Sequence, residues 1–126
     1  MRIMIDTTVF LAECLLPEQK YPQLFRKIVA QDRLVLPKRQ IAEIRDIMKA
    51  YFPDECDTVE LFLERFSFET PDEVPEENSE GYPFLSDAKA AGVEAVITLD
   101  PQMTGAQIDG IRFLSADQYL GGDEIG

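Results

Sequence analysis

Arg2 to Val9 reads RIMIDTTV, and this stretch decides the fold: an apolar run that closes on one carboxylate and two hydroxyls. Ile3, Met4 and Ile5 show no polar alternation, the pattern of a strand covered on both faces, as parallel strands beneath helices are. Asp6 stands where that strand ends. In open α/β sheets the ligand crevice lies outside the carboxyl ends of the strands, so an acid there is placed to meet a ligand or a metal. An Asp in this position also suits a helix cap, accepting a backbone N–H two or three residues on. Taken alone, the cap is the simpler reading.

Outward from this strand, apolar spacing predicts a helix from Thr7 to Leu16, stopped by Pro17, and a second from Tyr21 to Gln31 with Leu24, Phe25, Ile28 and Val29 on one face. Arg33 to Leu36 reads as a short strand broken by Pro37, which suits the first turn of the next helix. In that helix, Lys38 to Phe52, the residues Ile41, Ile44, Ile47, Met48 and Tyr51 form one stripe. Glu43 lies on its flank, where an i,i+4 ion pair with Arg39 competes with a role at a site. Asp57 with Glu60 resembles a capping pair for a helix through Phe66, and Phe68 reads as the tail of a short strand.

Glu69 to Gly81 holds six acids, two prolines and no basic residue, the composition of a long surface loop. Helical patterning resumes at Pro83 with Phe84, Leu85, Ala88 and Ala91, and Gly92 is a natural stop. Ala95 to Leu99, AVITL, is a second fully buried strand, and it ends on Asp100 as the first ends on Asp6. Asp109-Gly110 marks a tight turn before a strand from Ile111 to Leu114. Ser115 with Gln118 forms a capping box, and 121–126 reads as a frayed tail. Strands and helices alternate throughout, which predicts one domain over 1–120 with a parallel sheet between two helical layers.

Composition narrows the chemistry. The chain has no histidine, which removes the commonest general acid/base and every Ser/His or Cys/His nucleophile. Two cysteines, Cys14 and Cys56, are too few for a disulfide framework and read as packed, reduced thiols. No stretch approaches the ~20 apolar residues of a membrane span, so a cytoplasmic protein is expected. The net charge of −12 disfavours holding duplex DNA by its phosphates. Residues 1–65 carry 11 acids and 10 basic residues, whereas residues 66–126 carry 13 acids and only Lys89 and Arg112. Phosphate contacts must therefore come from the first half, and Lys38 and Arg39, just past the second strand, are the phosphate candidates.

Three acids stand at related places: Asp6 and Asp100 at strand ends, and Glu43 on the helix after the second strand. Right-handed crossovers would bring all three to one edge of the sheet, where converging carboxylates hold Mg²⁺ or Mn²⁺ for phosphoryl chemistry. Chance placement among 24 acids is the competing account.

IDTTV at Ile5 to Val9, Ile41 to Ile44 with its Glu, AAGVEAVITLD at Ala90 to Asp100 and the closing IRFLSADQYL together resemble the PIN domains. These are metal-dependent ribonucleases that include the VapC-like toxins of toxin–antitoxin pairs. The resemblance runs from Arg2 to Leu120. It implies a three-layer α/β/α fold with a central parallel sheet of about five strands, the Ile3 to Asp6 strand at its centre. It also implies metal ligands Asp6, Glu43 and Asp100, support by hydrogen bonds from Thr8 and Thr98, an RNA substrate, an antitoxin partner and a homodimer. Phe25, Ile28 and the Tyr51-Phe52 pair look like more apolar surface than one small domain covers, which fits the dimer.

Two departures from the family pattern stand out. The acid expected at the start of the helix before AAG falls on Gly81, and the acid two residues after Asp100 is Gln102. Glu80, beside the first gap, is the nearest substitute; Asp87, inside the helix, is a poorer one. The alternative is therefore a catalytically inactive PIN-fold module that binds RNA or protein.

Overall fold

The computed structural model describes residues 1–15, 20–72 and 84–125. Its elements run β1 (Arg2–Ile5), α1 (Thr7–Leu15), α2 (Lys20–Gln31), β2 (Arg33–Leu34), α3 (Lys38–Tyr51), a 3₁₀ turn (Pro53–Glu55) and α4 (Cys56–Arg65). They continue with α5 (Leu85–Ala91), β3 (Ala95–Ile97), β4 (Gln107–Ile108), β5 (Ile111–Leu114) and α6 (Ala116–Ile125). The five strands lie in the order β2-β1-β3-β5-β4, all parallel except the β4–β5 hairpin. This is a PIN-like α/β fold. β1 is an interior strand, but the centre is β3: the β4–β5 hairpin extends the sheet on β3's far side, and two-residue β4 is too short to show in the sequence pattern.

Alternation along each strand divides the core between two faces. Ile3, Ile5, Ala95 and Ile97 point to one face and pack with Phe10, Phe25, Ile28, Ile44 and Tyr119 from the helices. Met4, Val96 and Phe113 point to the other, against Phe84, Leu85 and Ala88 of the α5 region. The unbroken apolar runs of β1 and β3 are thus explained by helices on both sides. Register pairs Ile5 with Ile97 and Ile97 with Leu114, so the chain leaves β1, β3 and β5 at one level.

Several local expectations change in the structure. Phe25 and Ile28 are fully buried in the chain's own core, so they leave no apolar surface for a partner; Tyr51 and Phe52 are exposed. The helix predicted from Asp57 begins at Cys56, after the 3₁₀ turn, without a side-chain cap. Glu60 instead forms a two-pronged pair with Arg45 of α3, at 2.9 and 3.0 Å. Around Phe68 the chain makes a single parallel bridge, Glu69 with Val35, not a strand. The last helix runs from Ala116 to Ile125. No helix among the described residues is long and apolar enough to cross a membrane.

Local chemistry holds elsewhere. Gly92 closes α5 at φ 73°, a left-handed conformation that glycine adopts without a Cβ penalty, and Val93 N–H returns to the Ala88 carbonyl at 3.0 Å. Asp109 and Gly110 turn the β4–β5 hairpin with φ 52° and 84°. Ser115 and Gln118 exchange two 3.0 Å bonds as a capping box: Gln118 N–H donates to Ser115 Oγ, and Ser115 N–H to Gln118 Oε1.

Candidate metal centre

Because β1 and β3 are parallel and in register, Asp6 and Thr98 leave the sheet side by side. Asp6 N–H donates to the Ile97 carbonyl at 2.8 Å, extending the ladder by one rung. The Thr98 hydroxyl donates to Asp6 Oδ2 at 2.5 Å and accepts the Asp100 N–H at 3.1 Å. One fully buried threonine thereby ties the two strand-end acids together. Asp100 is exposed; its Oδ1 accepts the Gln102 N–H at 2.9 Å, and its carbonyl takes the Thr104 hydroxyl at 3.1 Å. The residue at the second missing acid thus shapes the turn through its backbone.

Glu43 arrives from α3. That helix is fastened over β1 by Gln40, fully buried, whose side-chain N–H donates to the Ile5 carbonyl at 2.6 Å. One turn on, Glu43 is exposed, not tucked under the core, and accepts the Thr7 hydroxyl at 2.8 Å. The hydroxyl that reaches Glu43 is therefore Thr7; Thr8, expected to support the site, is exposed. Arg39 does not pair with Glu43. It reaches Asp87 of α5 at 3.4 Å, where Asp87 is 2% exposed.

Asp87 belongs to this edge by topology. α5 leads through Gly92 into the start of β3, so its first turn, which contains Asp87, lies at the end where the parallel strands finish. A fourth acid is present here, matched by the Arg39 cation. Lys38 is exposed. Glu80 and Gly81 lie outside the described residues.

Electrostatics couple the three acids proposed from the sequence. Burial pushes the Asp6 carboxyl above the ordinary range, the Thr98 hydrogen bond opposes this, and the charges of Asp100 and then Glu43 raise it further. All-oxygen donors suit hard cations such as Mg²⁺ or Mn²⁺, and a dication would relieve this mutual repulsion, so the donor chemistry fits. The carboxylates share a field without closing on a point: among the described residues no three Asp, Glu, Cys or His side chains are grouped tightly enough to hold one ion.

Thr98→Val should push the Asp6 pKa still higher, because it removes a hydrogen bond that lowers it, and should leave the Asp100 N–H without its acceptor. Carboxyl ¹³C NMR titration of the two proteins measures this. An unchanged Asp6 midpoint would show that the hydroxyl does not govern the acid.

No family model matches the sequence, and a search of curated protein sequences finds no match. By structure the chain is similar to a chain in the crystal structure of VapBC2 from Rickettsia felis bound to a DNA fragment from their promoter. The two superpose with a TM-score of 0.67 at 12% identity, over 91% of this chain and 98% of that one. At that identity the likeness concerns the fold: this chain has the fold of a VapBC2 component.

Proposed function

We propose that this chain, as a single domain over 1–120, is a Mg²⁺- or Mn²⁺-dependent endoribonuclease of the toxin–antitoxin kind, hydrolysing RNA phosphodiester bonds. The observation that carries the reading is the pair of acids at the ends of adjacent parallel strands, Asp6 and Asp100, both hydrogen-bonded to the Thr98 hydroxyl, with Glu43 close enough for its charge to be felt at Asp6. In this reading Asp6, Glu43 and Asp100 hold the ion, with Glu80 a further candidate ligand. A dication bound there supplies an acidified water and stabilises charge on the phosphate. Thr98 fixes the Asp6 oxygen, Thr7 orients Glu43, and Lys38 is free to meet an RNA phosphate. Arg39, engaged with Asp87, would meet RNA only by leaving that pair. A cognate antitoxin protein, a homodimer and a cytoplasmic setting belong to the same proposal.

A second reading, an inactive PIN-fold module that binds RNA or protein, is favoured by the open spacing of the acids and by the Arg39–Asp87 pair. Cleavage of a mixed RNA pool in Mn²⁺ separates the two. The nuclease reading expects divalent-dependent cleavage that falls at least ~100-fold in Asp6→Asn, in line with losing a group that anchors the transition-state charge. RNA left intact by the natural protein leaves the binding module, and RNA cut equally well by the variant would take Asp6 out of the site that cleaves it.

A further inference from the structure

We propose that Gln40 is a positioning residue for the acids of this edge: it takes the place of a backbone N–H that Pro37 lacks, and so holds Glu43 of α3 beside Asp6 at the end of β1. What this does for metal binding rests on the reading of the edge as a divalent-ion site; how it is done follows from the backbone.

β2 lies parallel to β1, and its N–H groups meet β1 carbonyls at every second residue. Arg33 N–H donates to the Met1 carbonyl at 2.9 Å, and Val35 N–H to the Ile3 carbonyl at 2.8 Å. The next rung would join residue 37 to the Ile5 carbonyl. Residue 37 is a proline, still extended at φ −62° and ψ 150°, and has no N–H to give. Ile5 is fully buried, and a buried carbonyl without a donor is costly, so another group must make the rung. Gln40, fully buried in the first turn of α3, makes it: its side-chain N–H donates to the Ile5 carbonyl at 2.6 Å.

That carbonyl belongs to the same peptide group as the Asp6 N–H, which donates to the Ile97 carbonyl of β3 at 2.8 Å. The peptide plane that leads into Asp6 is therefore held by the sheet on one side and by α3 on the other. Glu43 stands one turn beyond Gln40 and accepts the Thr7 hydroxyl at 2.8 Å. One side chain thus sets both the plane from which Asp6 departs and the seat of the helix turn that carries Glu43.

The test compares four proteins. Gln40→Met keeps the length of the side chain and removes its donor; it also removes Oε1, which has no hydrogen-bond partner, so folding should survive. Gln40→Asn keeps the amide but shortens its reach. Gln40→Met with Pro37→Ala returns a backbone N–H to the missing rung, and the natural protein is the reference.

Two readouts need no metal: hydrogen exchange of the Asp6 amide, and NOEs between the Thr7 methyl group and the Glu43 side chain. Expected are faster exchange and weaker NOEs in both single variants, an unchanged Phe113 amide in β5, and recovery of both signals in the double variant. A general loss of stability would speed exchange across the whole sheet instead. Mn²⁺ calorimetry should show a loss of roughly tenfold in the single variants, the size expected for residues that orient metal ligands, and recovery in the double variant. The proposal is overturned if Gln40→Met leaves the Asp6 amide and the Thr7–Glu43 NOEs unchanged, if exchange rises equally throughout the sheet, or if Pro37→Ala restores neither signal. It is overturned as well if Mn²⁺ binds the natural protein and Gln40→Met equally tightly. Absence of Mn²⁺ binding to every protein would reject the metal reading alone, and the two metal-free readouts would still decide the role of Gln40.

Discussion

Replacing Phe25 by alanine is expected to lower the unfolding free energy by about 3–5 kcal/mol, the usual cost of deleting a buried aromatic ring. Phe25 is fully buried and sits among three other rings. Its centroid lies 4.7 Å from Phe62 and 6.0 Å from Phe10, both edge-on, and 5.5 Å from Phe66. Edge-to-face pairs add to simple burial, and these join α2 to α1 and α4, so the cavity opens where three helices meet. Against a total stability of roughly 5–15 kcal/mol for a domain, the loss takes about a fifth or more. Urea denaturation measures it, with exposed Leu61→Ala as the control expected to stay within ~0.5 kcal/mol. A Phe25→Ala loss below ~1 kcal/mol would mean that α2 does not pack as described.

Stability should also fall as pH rises from about 4.5 to 7, through Glu13. Its carboxyl has a folded-state value of about 7 against 4.5 for the free group, because burial disfavours the ionised form. Between those values the native state holds more protons than the unfolded chain, so raising the pH costs stability until Glu13 is fully ionised. The difference corresponds to ~3 kcal/mol. Asp6, raised for the same first reason, slopes the curve the same way. Glu60 and Glu69, lowered chiefly by hydrogen bonds from Arg45 and from Arg2, act in the opposite sense, and their contribution is lost only as pH falls through their own depressed values. Glu13→Met should therefore be more stable than the natural protein at pH 8, by ~1–3 kcal/mol, and nearly equal to it at pH 5. Urea midpoints at the two pH values decide it. A variant no more stable at pH 8 would place the Glu13 carboxyl in contact with solvent.

What could be read from the amino-acid order was local. β1 and β3 announce themselves because burial on both faces leaves no polar residue in Ile3–Ile5 or Ala95–Ile97. The Gly92 stop, the Asp109-Gly110 turn and the Ser115–Gln118 box depend on residues within a few positions of one another, so their chemistry is visible in the string. Partners chosen across the fold are not visible in this way. Arg39 had Glu43 one turn away, yet pairs with Asp87, 48 positions on, because α5 brings its first turn to the same edge. Glu60 likewise faces Arg45 and leaves the cap position that its spacing from Asp57 suggested. Gln40 did carry a signal: it shares the stripe of Ile44 and Met48 at i, i+4 and i+8. A polar residue on that buried face must find a partner, and it finds the Ile5 carbonyl. At the site, the order of residues pointed to the edge where Asp6 and Asp100 lie. It could not tell which of two adjacent threonines faces Glu43, since that depends on how α1 leaves the strand.

The central claim is that the carboxyl edge of this sheet is a divalent-ion site, and Mn²⁺ binding measured by calorimetry on the natural protein and on Asp6→Asn tests it most directly. The account predicts millimolar or tighter affinity in the natural protein and at least a tenfold loss, about 1.4 kcal/mol, in a folded Asp6→Asn variant. Equal affinity in the two proteins, or no binding to the natural one, would contradict it.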